Sequence, residues 1–334
     1  MNFFSGSTAP ENTVDAVLDI RSGSVGAALL DYDEDGRPEI YWSHRQPVDF
    51  LTEHDTDRLI HMTQRALDKT TEKIRKQGLK KAESKRKKET VLGDVRCFFA
   101  APWQVGSPQE ITITNEDPFT VDKKQLQLAK DKAESLFSED AVSRFGTESE
   151  NLKQLTTAVF SVWCNGYKLD DPIGVRTDNM RLATYVSMLP DRVRKLTENS
   201  ISNHLHPDKL SLHSFTAAVH KTFTQAFNHP KTFLVINVDE EMTQLLVVNS
   251  GVLMGAVSYP LGSHFLIRTL AKALDAPAAD ARSRLKQFQD GEAQAQTQST
   301  VNDVIAKARN RWQELLVSSL EQFSENVSIP AYAF

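Results

Sequence analysis

Two apolar ribbons, each broken by a polar turn, stand in opposite halves of the chain. The first, residues 14–31, leads through Val14, Val17, Leu18 and Ile20 into Arg21-Ser22-Gly23-Ser24 and leaves through Val25 to Leu30. The second, residues 232–248, leads from Phe233 to Ile236 into Asn237-Val238-Asp239-Glu240-Glu241-Met242 and leaves from Thr243 to Val248. Runs of Val, Ile and Leu bounded by small or charged residues predict strand–turn–strand hairpins. A turn at 33–37 and a third strand over 38–45 follow the first hairpin. Leu59, Ile60, Met62, Ala66 and Ile74 then fall at helical spacing and predict a helix over 55–78. Residues 91–101 read as a buried strand. Three strands, a helix and a strand predict a layered α/β unit.

From 111 to 213 the texture changes. Strands are predicted at 111–114, 156–164, 182–189 and 209–213, with helices near 121–138 and 191–204 and a polar loop over 139–151. This stretch reads as an inserted α+β module with its own small core. A helix over 214–227 returns to the parent unit, and the second hairpin follows. A strand over 252–259 leads through Pro260-Leu261-Gly262-Ser263 into a helix over 264–275, and a further helix covers 279–288. Residues 289–299 are a low-complexity linker, residues 301–323 a long amphipathic helix, and residues 1–12 a flexible leader. Neither half carries a short internal period, which argues against solenoids and propellers.

This order resembles the actin-like ATPase superfamily, and within it the FtsA and PilM members. Asp19-Ile20-Arg21-Ser22-Gly23-Ser24-Val25 is similar to the family's first phosphate turn. Residues 248–263 are similar to the strand pair and turn that follow the second, and 264–286 to the family's paired helices. The insertion, with Asn165-Gly166-Tyr167 and Asp171-Pro172-Ile173-Gly174, resembles the SHS2 interaction subdomain. The resemblance implies a two-lobed, ribonuclease H-like α/β fold: lobe 1 over 13–110, the insertion over 111–213, a returning helix over 214–229, and lobe 2 over 230–334. The family's third ligand turn, rich in glycine, has no counterpart after the last helix. Residues 329–334 look like the approach to it, so lobe 2 reads as truncated.

The resemblance also implies ATP and Mg²⁺ as ligands, held between the two hairpin turns. Asp19, Arg21, Ser22, Gly23, Ser24, Asn237, Thr243 and Gly262 are the candidate ligand residues, with Asp19 as the metal contact. Backbone N–H groups in such turns form an anion nest, and glycine lets the backbone approach closely. Ser22, Gly23 and Ser24 suit this. Arg21 stands where the family has Gly, and either caps a phosphate or blocks its approach. Read alone, the turn is better taken as an ordinary Ser-Gly hairpin with Asp19 bonded locally, and only the resemblance brings the two readings level. In the second turn Asp239 and Glu240 occupy the family's two glycine positions. Like charges 4 Å apart cost about 4 kcal/mol at an effective dielectric of 20, so three adjacent carboxylates facing a triphosphate predict a weakened or lost ATP site.

At 334 residues, 40% apolar and 25% charged, the chain is long enough for two domains, and its net charge of −5 gives no pull toward nucleic acid. Residues 73–88 carry nine Lys or Arg against the single acid Glu83. They read as a solvated helix end, or as the one stretch able to meet anionic lipid. Cys97 and Cys164 sit in apolar runs and predict buried thiols in a reducing cytoplasm. No apolar run reaches membrane-spanning length. His204, His206 and His213 need not converge on a metal. Trp163 is expected in the module's core, Tyr185 is a candidate interface anchor, and Tyr167 is open between the two roles. No Ser-His-Asp, Walker or His-Glu-x-x-His pattern is present, and no catalytic residue is assigned. The leading expectation is a cytoplasmic scaffold of division- or pilus-type envelope machinery, at the inner membrane face. It docks protein partners through the insertion and is able to self-assemble. The alternative is a working ATPase whose nucleotide state switches assembly.

Overall fold

In the computed structural model, which describes residues 12–33, 36–53, 55–145, 151–226, 231–324 and 328–334, the first hairpin opens an antiparallel meander. Its strands are β1 (Thr13–Ile20), β2 (Ser24–Tyr32) and β3 (Pro38–Pro47). Val14, Ala16, Leu18 and Ile20 alternate into the core, as period-two spacing requires. Helix α1 (Thr56–Lys73) starts at Asp55, whose side chain accepts from the Arg58 N–H at 2.9 Å. Ile60, Ala66 and Leu67 are among its buried residues. The helix does not end at 78. A π-helical turn (Ile74–Gly78) leads into α2 (Leu79–Arg86), so the basic stretch is mostly helical. A Cβ on Gly78 would lie 3.0 Å from Leu29 Cδ1 and Trp42 Cε3, which is how closely this turn lies on the sheet. Two of its cations are structural: Lys73 Nζ is 3.1 Å from His44 Nε2, and Arg86 donates to the Thr13 carbonyl and to Asp31.

Strand β4 (Val91–Phe99) lies parallel to β1. The chain then leaves the sheet for β5 (Val105–Thr120), α3 (Lys123–Phe145), β6 (Leu152–Cys164), β7 (Tyr167–Leu169) and β8 (Arg176–Pro190). These strands form an antiparallel sheet in the order β5-β8-β6-β7. Ala129, Ala133 and Phe137 of α3 pack with Val162, Met180 and Leu182 of the sheet in one apolar cluster. Asn165 (φ 49°) and Gly166 (φ 84°) make the two-residue turn between β6 and β7, the conformation such hairpins require. The strands outrun their apolar centres because cross-strand pairing continues through polar rows. Helix α3 likewise covers 139–145, expected as loop; residues 146–150 lie outside the described residues.

Two elements placed in the insertion belong elsewhere. Helix α4 (Asp191–His204) sends Val193 and Ile201 into the first sheet's core beside Ile60 and Leu67. Strand β9 (Leu210–Ser214) pairs in parallel with β4, completing the order β3-β2-β1-β4-β9. The alternation of Leu210 and Leu212 with polar residues announces a strand but not which free edge it fills. The expected aromatic roles also change. Tyr185 is 1% exposed and packs in the cluster shared by the sheets, so it is no surface anchor. Trp163 is half-buried rather than a core residue, with the Arg181 guanidinium 4.3 Å above its ring. Tyr167 is 77% exposed.

Helix α5 (Phe215–Ala226) leads to the second hairpin, β10 (Phe233–Val238) and β11 (Thr243–Asn249), and then β12 (Val252–Tyr259). Helices α6 (Ser263–Ala273), α7 (Ala278–Gln289) and α8 (Ala295–Ser324) follow. Helix α8 takes in half of the expected linker. The final residues return beside β10, with Leu234 N–H donating to the Tyr332 carbonyl at 2.8 Å and Ile236 N–H to that of Phe334 at 2.9 Å. One apolar cluster draws Phe98 from the first sheet, Ala158 and Tyr185 from the inserted sheet, and Phe233 and Leu246 from the third. The expected two-lobed α/β architecture with an inserted α+β unit is therefore the one observed.

Candidate functional site

The two hairpin turns meet tip to tip. In the first, Arg21 N–H donates to the Ser24 carbonyl at 3.0 Å; in the second, Asp239 N–H donates to that of Met242 at 2.8 Å. The Asp239 carboxylate accepts from the Ser22 backbone N–H at 3.2 Å and from Ser22 Oγ at 3.0 Å. Ser22 Oγ in turn accepts from the Glu241 N–H at 3.1 Å. Ser22 is fully buried, and Asp239 is 8% exposed. A Cβ on Gly23 would collide with the Glu240 side chain, so that side chain lies across the open face of the glycine. An internal carboxylate thus stands on the donors that an anion nest offers a ligand.

Two acids, not three, face the first turn. Burial pushes the Glu240 carboxyl up to about 7, helped by the hydrogen bond and negative charge of Asp239 beside it. The pair therefore retains a proton near neutrality. Glu241 turns the other way. Burial alone would raise its pKa, but His264 Nδ1 at 2.8 Å and the Arg268 guanidinium at 2.7 and 2.9 Å outweigh that and hold it at about 2. Arg268 also donates to the Leu51 carbonyl at 3.3 Å, and Arg282 lies 2.9 Å from His264 Nε2. Phe50, from the loop after β3, meets the His264 ring edge-on with centroids 4.8 Å apart and carries Arg282 5.0 Å from its face. This second contact joins the lobes through side chains.

The remaining candidates are brought to the same place but engaged by protein groups. Asp19 accepts from Arg21 Nε and Arg45 Nη2, each at 2.8 Å, so two guanidinium groups stand around the proposed metal contact. Its Oδ1 is buried without a partner among the described residues. Arg21 also approaches Asn237 Oδ1 at 3.4 Å, and its guanidinium lies 4.7 Å from the Phe215 ring centre. Ser24 Oγ accepts from Arg45 at 2.8 Å. Thr243 is fully buried, donating to the Leu261 carbonyl at 2.6 Å and accepting from Trp312 Nε1 at 3.1 Å. Gly262 is required because a Cβ there would strike the Asp239 carbonyl and the Glu240 backbone. Those carbonyls accept from Ser263 and His264 at 3.0 and 2.8 Å, so the second turn caps the α6 N-terminus itself. No group of three or more metal-ligating side chains occurs among the described residues.

The sequence reading missed Arg45, Phe50, Arg268, Arg282 and Trp312. Arg45 was within reach of strand register, since it pairs opposite Gly26 and lies over it. The others arrive from distant segments and leave no local signal.

No protein-family model matches the chain, and no curated protein matches its sequence. Among solved structures, the chain is similar to one from a PilM–PilN type IV pilus biogenesis complex. They are 12% identical, the match covers 96% of this chain and 80% of that one, and the TM-score is 0.62. The fold is that of the actin-like ATPases. Matches are also found with the ethanolamine utilization protein EutJ from Carboxydothermus hydrogenoformans (12% identical, covering 96% of this chain and 75% of that one, TM-score 0.41). MreB 5 of Spiroplasma citri bound to AMPPNP matches as well (9% identical, covering 96% and 80%, TM-score 0.42). Among the described residues, no helix is long and apolar enough to cross a membrane.

Proposed function

We propose that this protein is a nucleotide-independent docking scaffold of envelope machinery, in which the ancestral clamp is held shut by its own second turn. The observation that carries this reading is the Asp239 carboxylate on the Ser22 N–H and Oγ, with Glu240 across Gly23. A triphosphate entering there would have to displace one carboxylate and expel another. The residues of the clamp therefore do not fit the phosphates of ATP, and no step is routed through a nucleotide. Phe50 and Arg268 supply a bridge between lobes that a nucleotide supplies in a working ATPase. The PilM–PilN likeness supports a protein partner, and the exposed Tyr167 and Ile173 of the insertion are apolar groups such a partner would cover. On this reading the insertion resembles the FtsA and PilM interaction subdomain, and the protein works at the cytoplasmic face of the inner membrane.

Thermal unfolding with and without ATP–Mg²⁺ tests the closed clamp. A ligand at about 100 times its Kd adds about 2.7 kcal/mol of stability, which is several degrees of Tm for a protein of this size. The wild-type protein is expected to show no shift. The double variant Asp239→Gly/Glu240→Gly, which restores glycine at both positions, is expected to shift. Micromolar ATP affinity in the wild type that disappears in Asp19→Ala would instead establish the nucleotide switch.

A further inference from the structure

Away from the clamp, a groove of about 460 Å³ runs between β6 and β7 of the insertion, helix α5, and the turn joining β11 to β12. Its walls carry Lys168, Lys221 and Lys231 against the single acid Asp170, and Phe160 and Phe223 contribute apolar surface. His220 also lines the groove and is 4% exposed. Its Nε2 lies 3.0 Å from the Gly251 carbonyl, which only accepts, so Nε2 carries the proton and Nδ1 presents a lone pair. That Nδ1 is buried and has no partner among the described residues. Burial holds the ring's pKa down to about 4 against the opposing Gly251 hydrogen bond, so it is neutral near pH 7. A buried acceptor in this position calls for a donor N–H or O–H.

The backbone of the groove indicates what brings that donor. On one side β6 pairs along its length with β8. On the other, β7 covers only Val162–Cys164, and among the described residues no strand pairs there with residues 158–160, which line the groove. An open strand edge facing a groove is the geometry that accepts an extended peptide by main-chain hydrogen bonds. We propose that this groove docks an extended acidic segment of a partner protein, laid along the uncovered edge of β6 with its carboxylates toward Lys168, Lys221 and Lys231. A donor group of the segment meets His220 Nδ1, and its apolar side chains lie on Phe160 and Phe223. The inference rests on the scaffold reading for its partner but uses no residue of the clamp.

The test is a random-peptide phage library panned against the full wild-type chain and against Lys168→Glu/Lys221→Glu, whose fold is checked by circular dichroism and Tm. Enriched peptides are expected to be rich in Asp and Glu and to bind the variant roughly tenfold or more weakly, as reversal of interfacial charge requires. They are also expected to shift the His220 ring ¹⁵N resonances. No enrichment over bare support, peptides without acids, or equal binding to both proteins would overturn the proposal. So would displacement by free phosphate or citrate at peptide concentrations, which would mark a general anion site. Because ATP is absent from this assay, its failure leaves the thermal-shift result on the clamp standing, and the reverse also holds.

Discussion

Glu241→Gln probes the joint that anchors the second turn to α6 and, through Arg268, to the loop after β3. The wild-type carboxyl is held at about 2 against an ordinary 4.5, and its side chain is only 6% exposed, so little solvent screening intervenes. At 1.36 kcal/mol per pKa unit this depression corresponds to about 3 kcal/mol of stability. That agrees with the roughly 3–5 kcal/mol lost when one partner of a buried ion pair is removed. Glutamine keeps the shape and one acceptor but leaves Arg268 without its counter-charge. The sign follows from linkage: a carboxylate depressed on folding stabilises above its unfolded pKa, and loses that contribution as pH falls toward the folded value. Urea unfolding at neutral pH should therefore place the variant about 3 kcal/mol below wild type. Below the unfolded pKa the gap should narrow by about 1.4 kcal/mol per pH unit. A neutral-pH difference under about 0.5 kcal/mol, the range of ordinary surface substitutions, would refute the reasoning. So would a gap that ignores pH.

Gly106→Ala should destabilise by about 1–3 kcal/mol, the usual cost of overpacking, because its Cβ would meet the Tyr185 hydroxyl and lie 2.8 Å from the Val186 carbonyl. An unchanged Tm would show that β5 gives way freely. Cys97 is fully buried, with its thiol pushed well up by desolvation, and Cys164 is 4% exposed. Neither should react with a thiol reagent until the chain unfolds, and a rapid native-state reaction would contradict that burial.

The contact between the two turns changes what each acid does. Asp239 and Glu240 are like charges at close quarters, and one retained proton relieves part of their repulsion. For Glu240, whose pKa rises on folding, the linkage runs opposite to that of Glu241. Its contribution is complete below pH 4.5 and is lost as pH rises through about 7. Adjacent residues in one turn thus pull the pH dependence in opposite directions, because one faces a second carboxylate and the other faces His264 and Arg268.

The sequence by itself determined the elements whose signals are local. The apolar runs of β1, β2, β10 and β11, the helical face of α1, the Asn165-Gly166 turn and the order of the two hairpins were all readable, because each depends on neighbours within a few residues. It also placed Asp239 and Glu240 where glycines were expected. Only the tertiary structure decided where those side chains go. Asp239 reaches Ser22 across 217 residues, Glu241 turns away to α6, and Arg45 and Phe50 come from an edge strand and a loop to complete the contacts. Strand β9 was visible as a strand, but its place beside β4 was not. The physical reason is the same in each case. Propensity and periodicity act along the chain, whereas the partner of a carboxylate or a free strand edge is chosen by packing between segments that the sequence does not bring near one another.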